Sequence, residues 1–445
     1  MRLWPALVVA YFVVGALVAR EVLPPPALLL AAPLLAAAAL LEQYSRDRRP
    51  AFLVALVCLL ISAGNLRPMT WGDTAPTSQQ PWGILRHGTF RLDPLPIVHD
   101  WPGHWLITTP DGHYGSAYPP GMALLALPFY LPTVLAPHPP SRVLSAFEKV
   151  SAELLSALTV LLLALALLRL GLPSRAVWIA SLAYGLCSSA MSLNAHALWQ
   201  HTGVALGLGV LLYAFSAESR GLVAVAAAVI AAVRMPELLM LAPFALWRPR
   251  SIPWMALGGL AGFALYGLHN QLVFGAPWRL GYFAMHRGSG FVTSEIFESP
   301  FGLLVSPAHG LLLFSPWVLF ALPALRRGPA IARAAVGSAL LLYGLMCFWW
   351  SWWGGGAFGP RMLSEAQLPL AFALAFVLPA ARTLADKALA LALAASFVIH
   401  ASYPYLLARK AGFDTFGAWD ERAHPVGFLL EGPLPNVPPR FLPDD

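Results

Sequence analysis

Residues 65–78 read NLRPMTWGDTAPTS. They open the interval 65–120, the longest part of the chain without an apolar segment long enough to cross a membrane. The interval carries four aspartates and four histidines: Asp73, Asp93, Asp100, Asp111, His87, His99, His104 and His113. Ionisable side chains gathered in one loop of an apolar protein are the first place to look for chemistry.

The rest of the chain has the composition of a membrane protein. Hydrophobic residues make up 58% and charged residues 11%, whereas charged residues form about a quarter of a soluble domain. The net charge of +7 does not indicate nucleic acid, because the basic residues form short clusters between apolar segments, as the positive-inside rule predicts. The three cysteines lie inside apolar segments, which argues against a disulfide framework.

Apolar runs of about 20 residues predict an all-α polytopic bundle of about 11–13 transmembrane helices. The basic cluster at 45–49 follows the second run and indicates the cytoplasmic side, so the loop that begins at 65 lies outside. The short run Gly121–Leu135, broken by two prolines, predicts an interfacial or re-entrant helix. We favour a retained anchor over a signal peptide for the first apolar run.

Four regions follow from this topology. They are N-terminal transmembrane helices in 1–64, an extracytoplasmic loop in 65–146 that we expect to be catalytic, a transmembrane core in 147–407 with outside loops at 269–309 and 349–361, and a short extracytoplasmic tail in 408–445.

Asp73 stands a few residues after the third apolar run, within reach of both a lipid headgroup and a soluble acceptor. A catalytic carboxylate and the N-cap of a helix that begins near Pro76 are equally good interpretations.

Two arginines are candidate anion ligands. Arg234 interrupts two apolar runs beside Glu237, so it either forms a local ion pair with that residue or faces a lipid-linked phosphate. Arg361 ends the run WWGGGAFGPR at 352–361, where a glycine-rich turn would let a ligand approach and arginine would give bidentate contacts. An interfacial belt explains the tryptophans of this run but not its arginine.

No cofactor is indicated. Phosphate-binding loops, nucleophile elbows and dinucleotide fingerprints are absent from the sequence. His99, Asp100 and His104 have loose metal-site character without tight ligand spacing, so a divalent metal is possible but disfavoured.

Several short motifs follow one another along the chain in an order that is typical of a protein family. After Gly72-Asp73 come Tyr118-Pro119-Pro120-Gly121, then Leu198-Trp199-Gln200-His201, Phe274-Gly275-Ala276-Pro277 with Gly281-Tyr282, Gly302-Leu303-Leu304-Val305-Ser306-Pro307, and Phe358-Gly359-Pro360-Arg361. Across about 72–370 the chain resembles the bacterial GT-C membrane glycosyltransferases of the family-39 or protein-mannosyltransferase-like group.

The resemblance implies a polyprenyl-phosphate sugar as donor, and transfer at the extracytoplasmic face of the bacterial inner membrane to a glycan, lipid or protein acceptor. It implies that Asp73 is the catalytic base, although many members carry two adjacent acids there and this chain has one. A carboxylate takes the acceptor proton in an inverting single displacement, and the leaving phosphate needs cations, for which Arg361, Arg234 and Lys149 are candidates.

The remaining cleft candidates are residues of the predicted outer face: His196, Trp199, His201, Tyr282, Glu295, Glu298 and Tyr118. Trp71, Trp101, Trp105 and Tyr114 either stack on sugars or anchor the loop to lipid.

Two other functions would use the same outer face and a lipid-linked saccharide. One is a transporter or flippase for a lipid-linked saccharide, which should place ionisable residues near the midplane of several spans. The other is a lipid-linked glycan ligase or polymerase.

Overall fold

The structure is a computed structural model that describes residues 4–42, 48–70, 72–100, 102–103, 105–286, 290–355, 357–378 and 380–409. Four of the predictions above concern Trp71, Trp101, His104 and the tail from 410 onward, which lie outside these ranges. The described part is mostly helical, with one two-stranded hairpin.

Three apolar helices come first, at the positions that the sequence predicts: α1 (Trp4–Ala19), α2 (Pro25–Glu42) and α3 (Arg49–Ala63). Pro50 stands in the first turn of α3, where its missing N–H costs no hydrogen bond. The helix ends at Gly64, and the polar interval follows.

The polar interval folds into short elements: α4 (Ala75–His87), α5 (Ile97–Asp100), the antiparallel pair β1 (Leu106–Thr108) and β2 (Tyr114–Ser116), and α6 (Gly121–Tyr130). Thr74 occupies the N-cap position of α4, and Gly88 ends the helix in the left-handed conformation with φ 64°. A helix therefore does follow Asp73, but Asp73 is not its N-cap. A short 3₁₀ helix, Leu131–Leu135, continues α6.

The central helix is α7 (Ser141–Arg169), which packs against α2, α3, α8 and α9. It begins nine residues before the apolar run at 150–168 that predicted it, so Lys149 lies inside the helix rather than near its outer end. After it come α8 (Ser174–Gly185), a π-helical turn at Ala190–Asn194, α9 (Gln200–Ser216) and α10 (Arg220–Val233).

The chain breaks at Arg234 as predicted, with φ −156°, and continues through a 3₁₀ stretch into α11 (Ala242–Trp247) and then α12 (Ile252–Phe274). Helices α10 and α12 pack closely because α12 presents glycines to the α10 backbone. A Cβ added at Gly258 would lie 1.9 Å from the Ala224 carbonyl oxygen, and one at Gly262 would lie 2.5 Å from that of Ala228.

The C-terminal part contains α13 (Gly281–His286), α14 (Ser299–Val305), α15 (Leu311–Phe314), α16 (Ala324–Arg327), α17 (Ala330–Met346), α18 (Gln367–Leu374) and α19 (Leu384–Arg409). The apolar run 310–324 predicted one span. It forms α15, a 3₁₀ stretch and α16 instead, because Pro316 and Pro323 interrupt the helical hydrogen bonds.

Three described helices are long and apolar enough to cross a membrane: Ser141–Arg169, Pro249–Phe274 and Leu384–Tyr403. The other apolar helices of at least ten residues are shorter than a regular span. The larger count of 11–13 spans, and the sidedness, remain predictions.

Candidate functional site

Asp73 and Arg361 meet although 288 residues separate them in the chain. Nη1 of Arg361 donates to Oδ2 of Asp73 at 2.6 Å, and the Tyr118 hydroxyl donates to Oδ1 at 2.7 Å. The Asp73 side chain is 24% exposed and that of Arg361 15% exposed. Burial, reinforced by the nearby carboxylate, raises the pKa of Tyr118, so its hydroxyl stays protonated and keeps donating.

The turn before Arg361 is built on glycines. Gly354, Gly355 and Gly359 all have positive φ, between 64° and 79°, a conformation that strains other residues. The imidazole of His309 donates from Nδ1 to the Gly359 carbonyl oxygen at 3.1 Å, and burial lowers the pKa of this histidine to about 4. These contacts fix the turn that delivers the guanidinium to the cleft.

Arg361 retains an unused donor edge. Its guanidinium lies over the Trp199 ring, 4.9 Å from the centroid. Its buried Nε has no hydrogen-bond partner in the described part of the chain. A Cβ built on Gly354 would come within 3.2 Å of Nε, so the turn can pass this close to the guanidinium because residue 354 is glycine. An anion would reach this buried donor only after the turn moves.

Aromatic rings border the same cleft. The ring of Tyr282 lies 6.5 Å from that of Tyr118 and 5.5 Å from that of Trp349. Burial raises the pKa of Tyr282, so it too stays a hydroxyl donor. Flat, partly apolar faces of this kind suit the ring of a sugar.

Arg234 and His201 lie together in a second cluster. Nη1 of Arg234 is 2.9 Å from Glu237 and 3.1 Å from Glu365, and Nδ1 of His201 is 2.6 Å from the same Glu365 carboxylate. The local pair with Glu237, which the sequence left open, is therefore present. Two carboxylates already balance Arg234, which leaves Arg361 as the better candidate for an added anion.

Lys149 is fully buried in α7, where its ammonium pairs with Glu153 at 2.8 Å. Its Nζ also lies 3.1 Å from Nδ1 of His196, and Asn65 lies 3.2 Å from the same nitrogen. Since both neighbours donate, Nδ1 of His196 is the acceptor. No described contact joins these residues to the Asp73–Arg361 pair, so the structure does not bring Lys149 and His196 to the cleft.

The two remaining acidic candidates lie near α14. Glu298 is exposed at the N-cap position of α14. Glu295 falls in the preceding 3₁₀ turn, and its side chain lies outside the described part of the structure.

Sequence reasoning missed two glutamates. Glu365 joins Arg234 to His201, and Glu148 is fully buried between α7 and the segments that carry Asp73 and Trp199. Both could have been proposed from the sequence, because an ionisable residue among apolar residues of a membrane protein is a candidate functional residue by default.

An apolar groove with a volume of about 320 Å³ runs between α6, α10 and α12. Gly121 and Val233 line it; Tyr118 lies three residues before the first, and Arg234 directly follows the second. The lining from Ala228 to Val233 covers about 8 Å along α10. The groove is therefore an apolar neighbour of the charged cleft.

Among the residues that the structure describes, no group of three or more histidines, cysteines and acids is arranged to hold a metal ion. Comparisons with protein-family models, with curated proteins and with solved structures gave no match. The chemistry of this site is therefore inferred from its own geometry.

Proposed function

We propose that the protein is an integral membrane glycosyltransferase of the bacterial inner membrane. It would transfer a sugar from a polyprenyl-phosphate donor to an extracytoplasmic glycan, lipid or protein. The observation that carries the proposal is the contact of Asp73 with Arg361 in a partly exposed cleft. One carboxylate and one incompletely used guanidinium are the two charges that such a transfer needs.

Arg361 would bind the donor phosphate. Its buried Nε has no hydrogen-bond partner among the described residues. Arginine favours phosphate because two parallel N–H groups can hold two oxygens. A cation at this oxygen also stabilises the charge that develops as the phosphate leaves.

Asp73 would accept the proton. The acceptor oxygen forms a bond to the anomeric carbon while the bond from that carbon to the phosphate oxygen breaks. The electron pair leaves on the phosphate, and the acceptor proton passes to the carboxylate. A single displacement inverts the anomeric centre, and Tyr118, which donates to the other carboxylate oxygen, would hold the base in place.

The groove between α6, α10 and α12 would hold the prenyl chain nearest the phosphate. Its lining consists of glycine, alanine, valine and leucine. Burial of an isoprenoid chain there would therefore stabilise the bound state in proportion to the apolar area removed from water. Since the lining residues Gly121 and Val233 are close in sequence to Tyr118 and Arg234, the polar end of such a lipid would lie near the cleft.

The test uses purified protein and a polyprenyl phosphate without sugar. We expect Arg361→Gln to lose at least about tenfold in affinity, since it removes a charge-assisted contact. The matched control is Arg91→Gln, which removes a surface arginine paired with Asp111 at 2.5 Å. Equal affinities for Arg361→Gln and wild type would reject the phosphate site. Failure of the wild type to transfer sugar from any polyprenyl-phosphate sugar would reject the activity.

One observation favours the transport alternative. The Lys149–Glu153 pair is fully buried within α7, one of the three helices long enough to span, and buried charge in a span is typical of transporters. Proteoliposomes that contain a labelled lipid-linked saccharide separate the alternatives, because only a flippase moves it between leaflets without a chemical change.

A further inference from the structure

Glu148 is a buried carboxylate that accepts hydrogen bonds from two other segments of the chain. It is fully buried. The Thr70 hydroxyl donates to one of its oxygens, the Leu198 N–H donates to the other at 3.1 Å, and the Thr74 hydroxyl adds a third hydrogen bond. It forms no ion pair with a described residue.

These donors lie next to Asp73 in the chain and next to Trp199, which contacts Arg361. Thr70 and Thr74 lie three residues before and one residue after Asp73, and Leu198 directly precedes Trp199. The ring of Trp199 in turn supports the Arg361 guanidinium at 4.9 Å. One carboxylate on α7 therefore links the segment of the base to the segment beneath the phosphate ligand.

A carboxylate at this position is energetically unfavourable unless it forms hydrogen bonds, because burial removes its hydration and no cation compensates it. Removing it would leave the Leu198 N–H without this acceptor, and the Thr70 hydroxyl would keep only its contact with Ser145 Oγ at 2.9 Å. The neighbouring Glu153, one turn along the same helix, differs. It is equally buried but pairs with Lys149 and has no described contact to the Asp73 segment.

We propose that Glu148 is a positioning residue: through its hydrogen bonds to Thr70, Thr74 and Leu198 it holds Asp73 in contact with Arg361. The proposal rests on the proposed function for the roles of Asp73 and Arg361, but the contact itself is a structural fact. Glutamine keeps one acceptor oxygen for the Leu198 N–H, and its amide N–H can donate to the Thr70 hydroxyl, so it should replace glutamate where alanine cannot.

The first test is a double-mutant cycle read out as affinity for a polyprenyl phosphate. If Asp73 competes with phosphate for Arg361, Asp73→Asn raises the affinity, by about fivefold. In a Glu148→Ala background we expect less than about a twofold further gain, because the carboxylate has already moved away. Glu148→Gln should retain the full gain.

The same gain in the Glu148→Ala background as in wild type would overturn the proposal. So would a Glu148→Gln variant that behaves like Glu148→Ala, since the charge would then be the cause. If Glu148→Ala does not fold, Thr70→Val removes one of the hydrogen bonds and should reduce the gain partly.

The second test needs no ligand. In a structure of Glu148→Ala we expect the distance from Asp73 to Arg361 to exceed hydrogen-bond range, and in one of Thr70→Val we expect it to lengthen by less. An unchanged distance near 2.6 Å would overturn the proposal. A wild-type protein that binds no polyprenyl phosphate would instead reject the proposed function, and this second test would still decide the role of Glu148.

Discussion

Replacing Asp73 by asparagine should abolish sugar transfer and, at the same time, strengthen the binding of a polyprenyl phosphate. The expected rise in affinity follows from the contact of 2.6 Å between this carboxylate and the guanidinium of Arg361. A phosphate on the Nε edge of the same guanidinium would share the cation with a carboxylate of like charge. Asparagine keeps the shape of the side chain and removes that charge.

The size of the gain can be bounded. The phosphate charge and the carboxylate would lie about 5 Å apart, and at an effective dielectric constant near 20 two unit charges repel by about 3 kcal/mol at that separation. The side chains of Asp73 and Arg361 are 24% and 15% exposed, so water screens part of this repulsion. We therefore expect about 1 kcal/mol, which is about a fivefold gain in affinity.

The assay is calorimetric titration of a polyprenyl phosphate into protein held in nanodiscs, followed by a transfer assay on the same samples. Asp111→Asn is the matched control, because Asp111 lies in the same loop, is exposed and pairs with Arg91. It should change neither quantity. Weaker binding by Asp73→Asn would refute the competition, and full transfer by that variant would refute the assignment of Asp73 as the base.

Three further predictions test other parts of the site. Alanine at either Gly354 or Gly355 strains a backbone with positive φ. A Cβ at Gly354 also contacts the guanidinium of Arg361, whereas one at Gly355 meets nothing within 4 Å. Gly354→Ala should therefore lose at least about fivefold more phosphate affinity than Gly355→Ala in the same titration. Ala261→Trp should weaken the binding of a long-chain polyprenyl phosphate by filling the groove, and Ala264→Trp, outside the groove on the same helix, should not. Since the pKa of His309 is about 4 in the folded protein and near 6.5 when unfolded, the unfolded state binds more protons between these values. The free energy of unfolding should then fall by roughly 3 kcal/mol from pH 6.5 to pH 4, and denaturant titrations of His309→Gln should lack this part of the pH dependence.

Local features of the fold were predictable from the sequence. Apolar runs bounded by glycine, proline or charge predicted the first three helices, the short helix at Gly121 and the break at Arg234, because each depends on residues close in the chain. The prediction of one span at 310–324 was wrong. It considered only the apolar composition of the run, whereas Pro316 and Pro323 interrupt a continuous helix.

The candidate site was predictable only in part. The types of residue at Asp73 and Arg361 indicated chemistry, but their contact spans 288 residues and is decided by packing. Lys149 was placed near the outer end of a helix because it directly precedes the apolar run at 150–168. The structure instead compensates it in the interior with Glu153, four residues later on the same face of α7.

The close contact of Asp73 with Arg361 places a condition on the proposed reaction. In an inverting displacement the nucleophile and the leaving group lie on opposite faces of the sugar, and in inverting glycosidases the two carboxyl groups are about 6.5–9.5 Å apart for this reason. Asp73 lies 2.6 Å from Arg361, the proposed ligand of the leaving phosphate, so the base and the leaving group would lie on the same side of the sugar. In the proposed reaction the carboxylate would separate from Nη1 of Arg361 before attack, while the phosphate stays on the Nε edge. The positive-φ glycines at 354, 355 and 359 are suited to such a movement, because glycine changes its backbone conformation at low cost.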